Sequence, residues 1–285
     1  MSGLRVVTMQ NRKALTEDEL DELWKLDEPR KSREELLKDP LIIPAVKKLI
    51  ERSSFVEQRT APWFKMRKGR VTGSATAAIL GHNPYQSRKK LLDQKLGLAP
   101  PFTGNKATRH GNRFEPWAAL AYEKKTGLKL IECDLGLMIP EGGPYETVVG
   151  ASCDGVTKCG ILIEIKCPYR RKIKGVCPSH YLDQIQLNLY VHDLHVAHFI
   201  DFAPKGHNGC PDEICEVSVI KRDPKYMDLY GPAFVRFQKD LLAGLKEQRK
   251  KKLQGRILSI SLSDSDDEKD EPKKEKAEPT VFMFL

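Results

Sequence analysis

Several features that would place this chain at a membrane or outside the cell are missing. No run approaches the roughly 18 apolar residues of a membrane-spanning helix. Residues Met1 to Asn11 lack the apolar core of a secretion signal, so we expect an intracellular protein that does not use a membrane. The seven cysteines are odd in number and form no compact disulfide framework, which favours a reducing compartment. No internal repeat is visible, which argues against a solenoid.

The charge of the chain is positive and unevenly distributed. The formal net charge is +9, and 31% of the residues are charged. Residues 259–285 contain eight acidic residues and four lysines, a net charge of −4, which leaves +13 for residues 1–258. A body this basic indicates a polyanionic partner such as nucleic acid, although solubility alone is an alternative explanation.

The composition divides the chain into three segments. Residues 1–52 are predicted to be helical, with a capping box at Thr16 and a second helix start at Ser32. Residues 53–250 carry mixed α/β signals. Residues 251–285 begin with a basic run and continue with an acidic, serine-rich run that has too few aliphatic residues to fold, so we expect a disordered tail. Its apolar last residues are either a docking peptide or a frayed end.

Local patterns predict several elements that frame the middle segment. We expect a short helix with Ser74 as its N-cap and Gly81 at its end, and another helix from Gly111 to Gly127 with Pro116 in its first turn. The remaining predictions are a buried strand at 161–165, a helix at 179–190 with Leu182 facing inward, a strand at 198–202 and a last helix opened by Pro232.

Asp154 followed ten residues later by Glu164-Ile165-Lys166 is the sharpest chemical signal. Side chains alternate faces along a strand, so Glu164 and Lys166 should point the same way while Ile165 points into the core. Two carboxylates and the main-chain carbonyl of Ile165 could hold Mg²⁺, which prefers oxygen ligands. Lys166 could then stand beside an attacking water. Asp154 completes this set if its strand pairs with the next one as a hairpin.

Taken alone, this triplet also fits a surface hairpin with ordinary charges. However, the pair interrupts the apolar run from Ile161 to Cys167. Charges in a buried strand are costly unless they hold a metal ion or each other. The pattern therefore favours a site over a solvated turn.

Six blocks together resemble the lambda exonuclease and YqaJ family of viral recombinases, within the PD-(D/E)xK nuclease superfamily. They occur in the family's order across roughly residues 55–247. The blocks are Trp63–Ser74, Gly111–Glu115, Ser152–Gly155, Glu164–Pro168, Tyr181–Gln186 and Arg222–Met227. Two departures are Cys153, where the family has proline, and Thr108, where its type member has a leucine that helps to split the duplex end.

The resemblance implies a fold and an activity. The fold would be α/β: a restriction-endonuclease-like core with a central mixed sheet flanked by helices, carrying an N-terminal helical appendage. The activity would be a Mg²⁺-dependent 5′→3′ exonuclease on double-stranded DNA ends, with Mn²⁺ as a substitute, producing 3′ single-stranded overhangs. A single-strand annealing protein as partner and a homotrimeric ring are family expectations. Nuclear localisation is expected if the host is eukaryotic.

The resemblance also assigns roles to individual residues. Asp154 and Glu164 would bind the metal ion with the Ile165 carbonyl, and Lys166 would assist the nucleophile. Glu115 would act through a second ion or its waters, and Gln184 would orient the water or Lys166. The residues matching the 5′-phosphate grip are Arg67, Ser74 and Ser152.

Other interpretations remain open at this point. Glu115 could cap its helix, Gln184 could be a buried structural amide, Ser152 a turn residue and Arg67 a general backbone contact. An endonuclease with the same metal site and a catalytically silent DNA-binding module are the rival functions. A structural zinc site is a further alternative, and its candidate ligands are His195, His198, His207, Cys210 and Cys215.

Overall fold

The computed structural model describes residues 31–100, 103–207 and 211–263, with side chains described as far as residue 254. Its helices are α1 (Arg33–Lys38), α2 (Pro44–Arg52), α3 (Ala61–Arg67), α4 (Thr76–Leu80), α5 (Arg88–Lys95), α6 (Lys106–Thr126), α7 (Ser179–His192) and α8 (Tyr226–Ser263). Its strands are β1 (Val71–Thr72), β2 (Val149–Gly150), β3 (Gly155–Val156), β4 (Ile161–Lys166), β5 (Val196–Ala203) and β6 (Ile214–Lys221).

A four-stranded mixed sheet in the order β3-β4-β5-β6 forms the centre. β3 and β4 are antiparallel, β4 and β5 parallel, and β5 and β6 antiparallel. The parallel pair is joined by a crossover through α7, which the parallel arrangement requires. The predicted mixed sheet is confirmed. A hairpin into β4 forms, but its first strand is Gly155–Val156, which follows Asp154, whereas Val149–Gly150 before Asp154 pairs in parallel with β1 in a separate two-stranded sheet. Gly160 closes that hairpin with φ +84°, a conformation that glycine adopts without strain.

Helices cover both faces of this sheet because the strand side chains alternate. Leu162 faces the larger buried cluster, which includes Phe199 of β5 and Ile185 of α7. Ile163 and Ile165 face a second cluster, in which Ala118 and Tyr122 of α6 pack against Phe202. The prediction that Ile165 points into the core is confirmed. Glu164 is two residues after Leu162, so its side chain lies on the same face of the sheet, toward α7.

The helices at 33–52 pack into the main core. The predicted helix start at Ser32 is confirmed, where Ser32 and Glu35 form a capping box, and α1 ends at Lys38, before Pro40. Leu36, Val46 and Ile50 are fully buried in the larger cluster. The predicted helix start at Thr16 lies outside the described residues.

α6 begins earlier than predicted, and Pro116 lies in its interior rather than in its first turn. Asn105 is the N-cap, since its side-chain oxygen accepts the N–H of Thr108 at 2.9 Å. A proline inside a helix removes one N–H, and here the tertiary packing tolerates that loss. The predicted end is confirmed, because Gly127 adopts the left-handed conformation.

α8 also begins before its predicted start, so Pro232 lies within it. Asp223 organises the beginning: its carbonyl accepts the N–H of Tyr226, and its carboxylate accepts the N–H of Lys225. The helix continues to Ser263, past the boundary predicted at residue 250. The acidic part of the predicted tail, from residue 264 onward, lies outside the described residues.

Two smaller predictions were wrong. Ser74 lies in a 3₁₀ turn (Gly73–Ala75) and not at an N-cap, because Thr76 begins α4 and donates its hydroxyl to the carbonyl of Gly73. Leu182 is exposed on α7. Gly81 ends α4 in the left-handed conformation as predicted. In the described ranges, no helix is both long and apolar enough for a membrane crossing.

Candidate active site

Glu164 of β4 is completely buried and accepts hydrogen bonds from three side chains. Its Oε1 accepts from Lys166 Nζ at 2.5 Å and from Gln184 Nε2 at 2.6 Å. Its Oε2 accepts from Asn188 Nδ2 at 3.2 Å. Gln184 and Asn188 are one turn apart on α7, so a single helix face supplies both amides. The strand alternation that we predicted therefore brings Glu164 and Lys166 together.

Asp154 lies immediately before β3, at the open end of the hairpin. Because Gly155 pairs with Ile163, the register places Asp154 opposite Glu164, with both side chains on one face. The Oδ2 atom of Asp154 accepts the N–H of Ile165 at 2.6 Å. In a strand, the N–H and C=O of one residue point to the same edge, so the Ile165 carbonyl faces Asp154.

Glu115 approaches the same place from the middle of α6. It forms an ion pair with Arg59, Nη2 to Oε2 3.4 Å. Two adjoining clefts, of about 420 and 470 Å³, are both lined by Arg59, Glu115 and Asp154. The smaller cleft also exposes Ile165 and Lys166. Glu115 lies far from either end of its helix, so the capping interpretation is wrong.

Burial and neighbouring charges shift the pKa values of Glu164, Glu115 and Lys166. Burial raises the pKa of Glu164 to about 7, the Lys166 ammonium opposes that rise, and the charge of Asp154 adds to it. Burial and then the charge of Asp154 raise the pKa of Glu115 to about 7, against the opposing charge of Arg59. Burial alone would lower the pKa of Lys166, but Glu164 and Asp154 outweigh it and hold that pKa above its usual value.

The raised pKa values mean that Lys166 and Arg59 do not fully offset the burial and the mutual repulsion of the carboxylates. All the donors of the site are hard oxygen atoms, which suits Mg²⁺ or Mn²⁺. No group of three or more His, Cys, Asp or Glu side chains in the described part of the chain is close enough to form a ready-made metal cluster. The predicted ligand set does not need one, because it combines two carboxylates with a main-chain carbonyl. The residues present therefore fit such an ion.

Two of the three residues matched to a phosphate grip are linked through Trp63. Its Nε1 donates to Ser152 Oγ at 3.0 Å, and the Arg67 guanidinium lies 4.0 Å from the centre of its ring. Arg67 also donates to Thr72 Oγ1 at 3.2 Å. We call these four residues the Trp63 cluster. Burial lowers the pKa of Arg67 to about 10, so it stays charged at neutral pH. Ser74 is exposed, two residues after Thr72.

The residues of this site fall within a region that is similar to a known protein family. Residues 62–195 match the profile of the YqaJ-like viral recombinase domain. The match contains the Trp63 cluster and all the carboxylates discussed above.

A solved structure and two viral proteins are similar to this chain. An alkaline exonuclease from Laribacter hongkongensis shares 25% sequence identity, with a TM-score of 0.54 over 68% of this chain and 99% of that one. Its complex with dAMP has a TM-score of 0.56, with the same identity and coverage. The predicted α/β fold with a PD-(D/E)xK core is thereby confirmed.

Both viral relatives are longer proteins. The uncharacterized protein R354 of Acanthamoeba polyphaga mimivirus is 28% identical over 221 residues, which are 63% of this chain and 39% of R354. Protein D345L of African swine fever virus (isolate Tick/South Africa/Pretoriuskop Pr4/1996) is 31% identical over 157 residues, which are 47% of this chain and 46% of D345L. The chain thus spans less than half the length of these relatives.

Three residues of this YqaJ-like site were not predicted. Asn188 holds the second oxygen of Glu164, and its spacing of four from Gln184 could have found it. Arg59 carries no sequence signal, since it reaches Glu115 from a loop in the left-handed conformation. Lys95 of α5 is partly buried near Arg67; burial, and then the charge of Arg67, lower its pKa to about 8.

The zinc alternative gains no support from the described residues. His207 bonds the carbonyl of Tyr169 through Nε2 and stacks on His110, while His198 bonds the hydroxyl of Tyr122. Cys210 lies outside the described residues. Cys167 is a buried thiol, as predicted, and burial raises its pKa.

Proposed function

We propose that the protein is a metal-dependent exonuclease that degrades one strand of duplex DNA from the 5′ end. The observation that carries this proposal is the β3–β4 hairpin. It sets Asp154 opposite a fully buried Glu164, whose Oε1 is held by both Lys166 and Gln184. A nuclease role agrees with the YqaJ-like domain and with the exonuclease fold.

Within the proposal, Asp154, Glu164 and the Ile165 carbonyl hold Mg²⁺, or Mn²⁺ in its place. The ion would neutralise the scissile phosphate and lower the pKa of the attacking water. Lys166 Nζ, fixed by Glu164, places a positive charge beside the hydroxide and the transition state. Gln184 keeps Glu164 and Lys166 aligned. Glu115 faces the same clefts, where it would act through a second ion or a bound water.

The Trp63 cluster, with Ser74, is proposed to bind the terminal 5′-phosphate. The guanidinium of Arg67 is stacked on Trp63 and has no acidic partner among the described residues, which suits it to a phosphate. Gripping a 5′ end sets the polarity, and the product is a 3′ single-stranded overhang. A protein that anneals single strands is the expected partner, and a trimer around DNA would give processivity.

The deciding experiment offers the purified protein four DNA substrates with Mg²⁺: a linear duplex with 5′-phosphate, the same duplex with 5′-hydroxyl, single-stranded DNA and a covalently closed circle. We expect nucleotide release from the phosphorylated duplex, slower release from the hydroxyl form and an intact circle. Because each phosphate contact that is lost weakens the grip, the hydroxyl duplex should react about ten-fold more slowly.

The controls separate the claims. Arg67→Ala should react with both duplexes at the same slow rate, whereas Arg70→Ala, whose side chain bonds the carbonyls of Glu146 and Val149, should keep the preference. Cutting of the circle would show an endonuclease and contradict the exonuclease proposal. If the wild-type protein binds DNA but hydrolyses none of the substrates, it is a catalytically silent binding module.

A further inference from the structure

A positively charged cleft lies beside the C-terminal half of α8. It measures about 1030 Å³, and four of its lining residues are cations: Lys68, Lys246, Arg249 and Lys252. No acidic residue lines it. We call this the α8 cleft. Six of its seven lining residues lie on α8, beyond the matched residues 62–195, and Lys68 lies within the match.

The cations of the α8 cleft have no acidic partners in the described ranges. Glu247 is the one acidic residue between Lys246 and Lys252, and it does not line the cleft. Four exposed cations without an acidic partner are suited to an external anion.

Specific contacts fix the α8 cleft close to the Trp63 cluster. Gln238 of α8 donates to the carbonyl of Gly69 at 3.0 Å, and Gln248 donates to the carbonyl of Leu96 at 2.7 Å. Lys68 follows Arg67 directly in the chain. Lys95 adds a further cation near Arg67. Lys68 therefore links the α8 cleft to Arg67 of the Trp63 cluster through adjacent positions in the chain.

The spacing of the cations fits a nucleic-acid backbone. Lys246, Arg249 and Lys252 recur every three residues, so they rise along one side of α8 over about 9 Å. Phosphates of one DNA strand follow each other every ~3.4 Å along the duplex axis, so this row spans roughly three phosphates. Leu245 and Leu253 line the cleft between the charges.

We propose that the α8 cleft is a second DNA-binding site, which holds the sugar-phosphate backbone of the duplex away from the end being cut. This inference rests on the proposed function for its substrate, but it is tested by binding rather than by hydrolysis. The contacts would be sequence-independent, and they would keep the substrate attached between successive cuts.

The test compares two double variants that remove the same charge from the same helix. Arg249→Ala/Lys252→Ala removes two of the four cations that line the cleft, whereas Lys250→Ala/Lys251→Ala removes two exposed cations that do not line it. Binding to a phosphorylated duplex is measured by fluorescence anisotropy in EDTA at several salt concentrations. Each lost phosphate contact lowers the slope of log K against log salt by about 0.9, so the cleft variant should lose roughly two units of slope.

The expected affinity loss is about ten-fold for the cleft variant and below about two-fold for the control. Arg249→Lys/Lys252→Arg, which preserves both charges, should bind as wild type; circular dichroism checks that α8 remains helical in all variants. Equal slopes in the two alanine variants would overturn the proposal. Loss of slope in the cleft variant alone would uphold the α8 cleft even if the wild type hydrolysed no DNA, so the two proposals fail separately.

Discussion

The two charged regions of this molecule carry charge in opposite ways. In the active site, the carboxylates are brought close together under partial or complete burial, and Glu164 has both oxygens bonded. In the α8 cleft, the cations stand at the surface with no acidic partner among the described residues. One region contains crowded negative charge inside the fold, and the other contains spaced positive charge outside it.

The two regions differ in the free energy that their charges cost the folded protein. Burying a carboxylate costs several kcal/mol unless a counter-charge compensates, and the pKa values of Glu164 and Glu115 near 7 record that cost. Exposed cations cost little because water and salt screen them. The cost of burying these carboxylates therefore favours a bound cation in the active site. In the α8 cleft, the position and spacing of the exposed cations favour a bound polyanion.

The largest expected effect comes from removing the ammonium group at the active site. Lys166→Ala should lower the rate of nucleotide release by about 10²–10³-fold, because a positive charge beside the transition state is lost. DNA binding should change only slightly, since Lys166 is already occupied by Glu164. Lys172→Ala, which removes an exposed lysine from the same region, is the matched control. A Lys166→Ala variant with the wild-type rate would refute the role assigned to Lys166.

A smaller effect, on stability, sharpens the same comparison. The folded protein binds a proton at Glu164 between pH ~4.5 and ~7 that the unfolded chain has released. Without metal, stability should therefore fall as pH rises through this window and stay low above it. Glu164→Gln has no such proton to lose, so in EDTA at pH 8 it should be more stable by roughly 1 kcal/mol, a few degrees in Tm.

The structure explains why glutamine can replace Glu164. Its amide nitrogen would face Asn188, whose buried Oδ1 has no hydrogen-bond partner and can accept after an amide flip. Glu141→Gln, at an exposed loop position, serves as the control and should melt as the wild type does. Identical pH profiles for Glu164→Gln and wild type would show that Glu164 is not under electrostatic stress.

The sequence predicted the parts of the site that depend on local alternation. Glu164, Ile165 and Lys166 follow from the two-residue period of a strand, and Asp154 follows from the hairpin. The apolar run from Ile161 identified a buried strand for the same reason. These features need only the chain's neighbours in sequence, so they can be inferred without coordinates.

The parts that could not be predicted depend on tertiary contacts or on competing local signals. The bond from Trp63 to Ser152 joins residues 89 positions apart, and Arg59 reaches Glu115 from a distant loop. Pro116 and Pro232 suggested helix starts, but Asn105 and Asp223 begin those helices earlier. In both helices, a capping residue N-terminal to the proline determines where the helix begins.

The most direct test of the account is to measure binding of Mg²⁺ and of Mn²⁺ by isothermal titration calorimetry at pH 8, where Glu164 and Glu115 are ionised. Wild-type protein should bind the ion, and Asp154→Asn should bind it at least about ten-fold more weakly, because a charged oxygen ligand is replaced by a neutral one. If Asp154→Asn binds with wild-type affinity, Asp154 and Glu164 do not share a cation, and the proposed chemistry is contradicted.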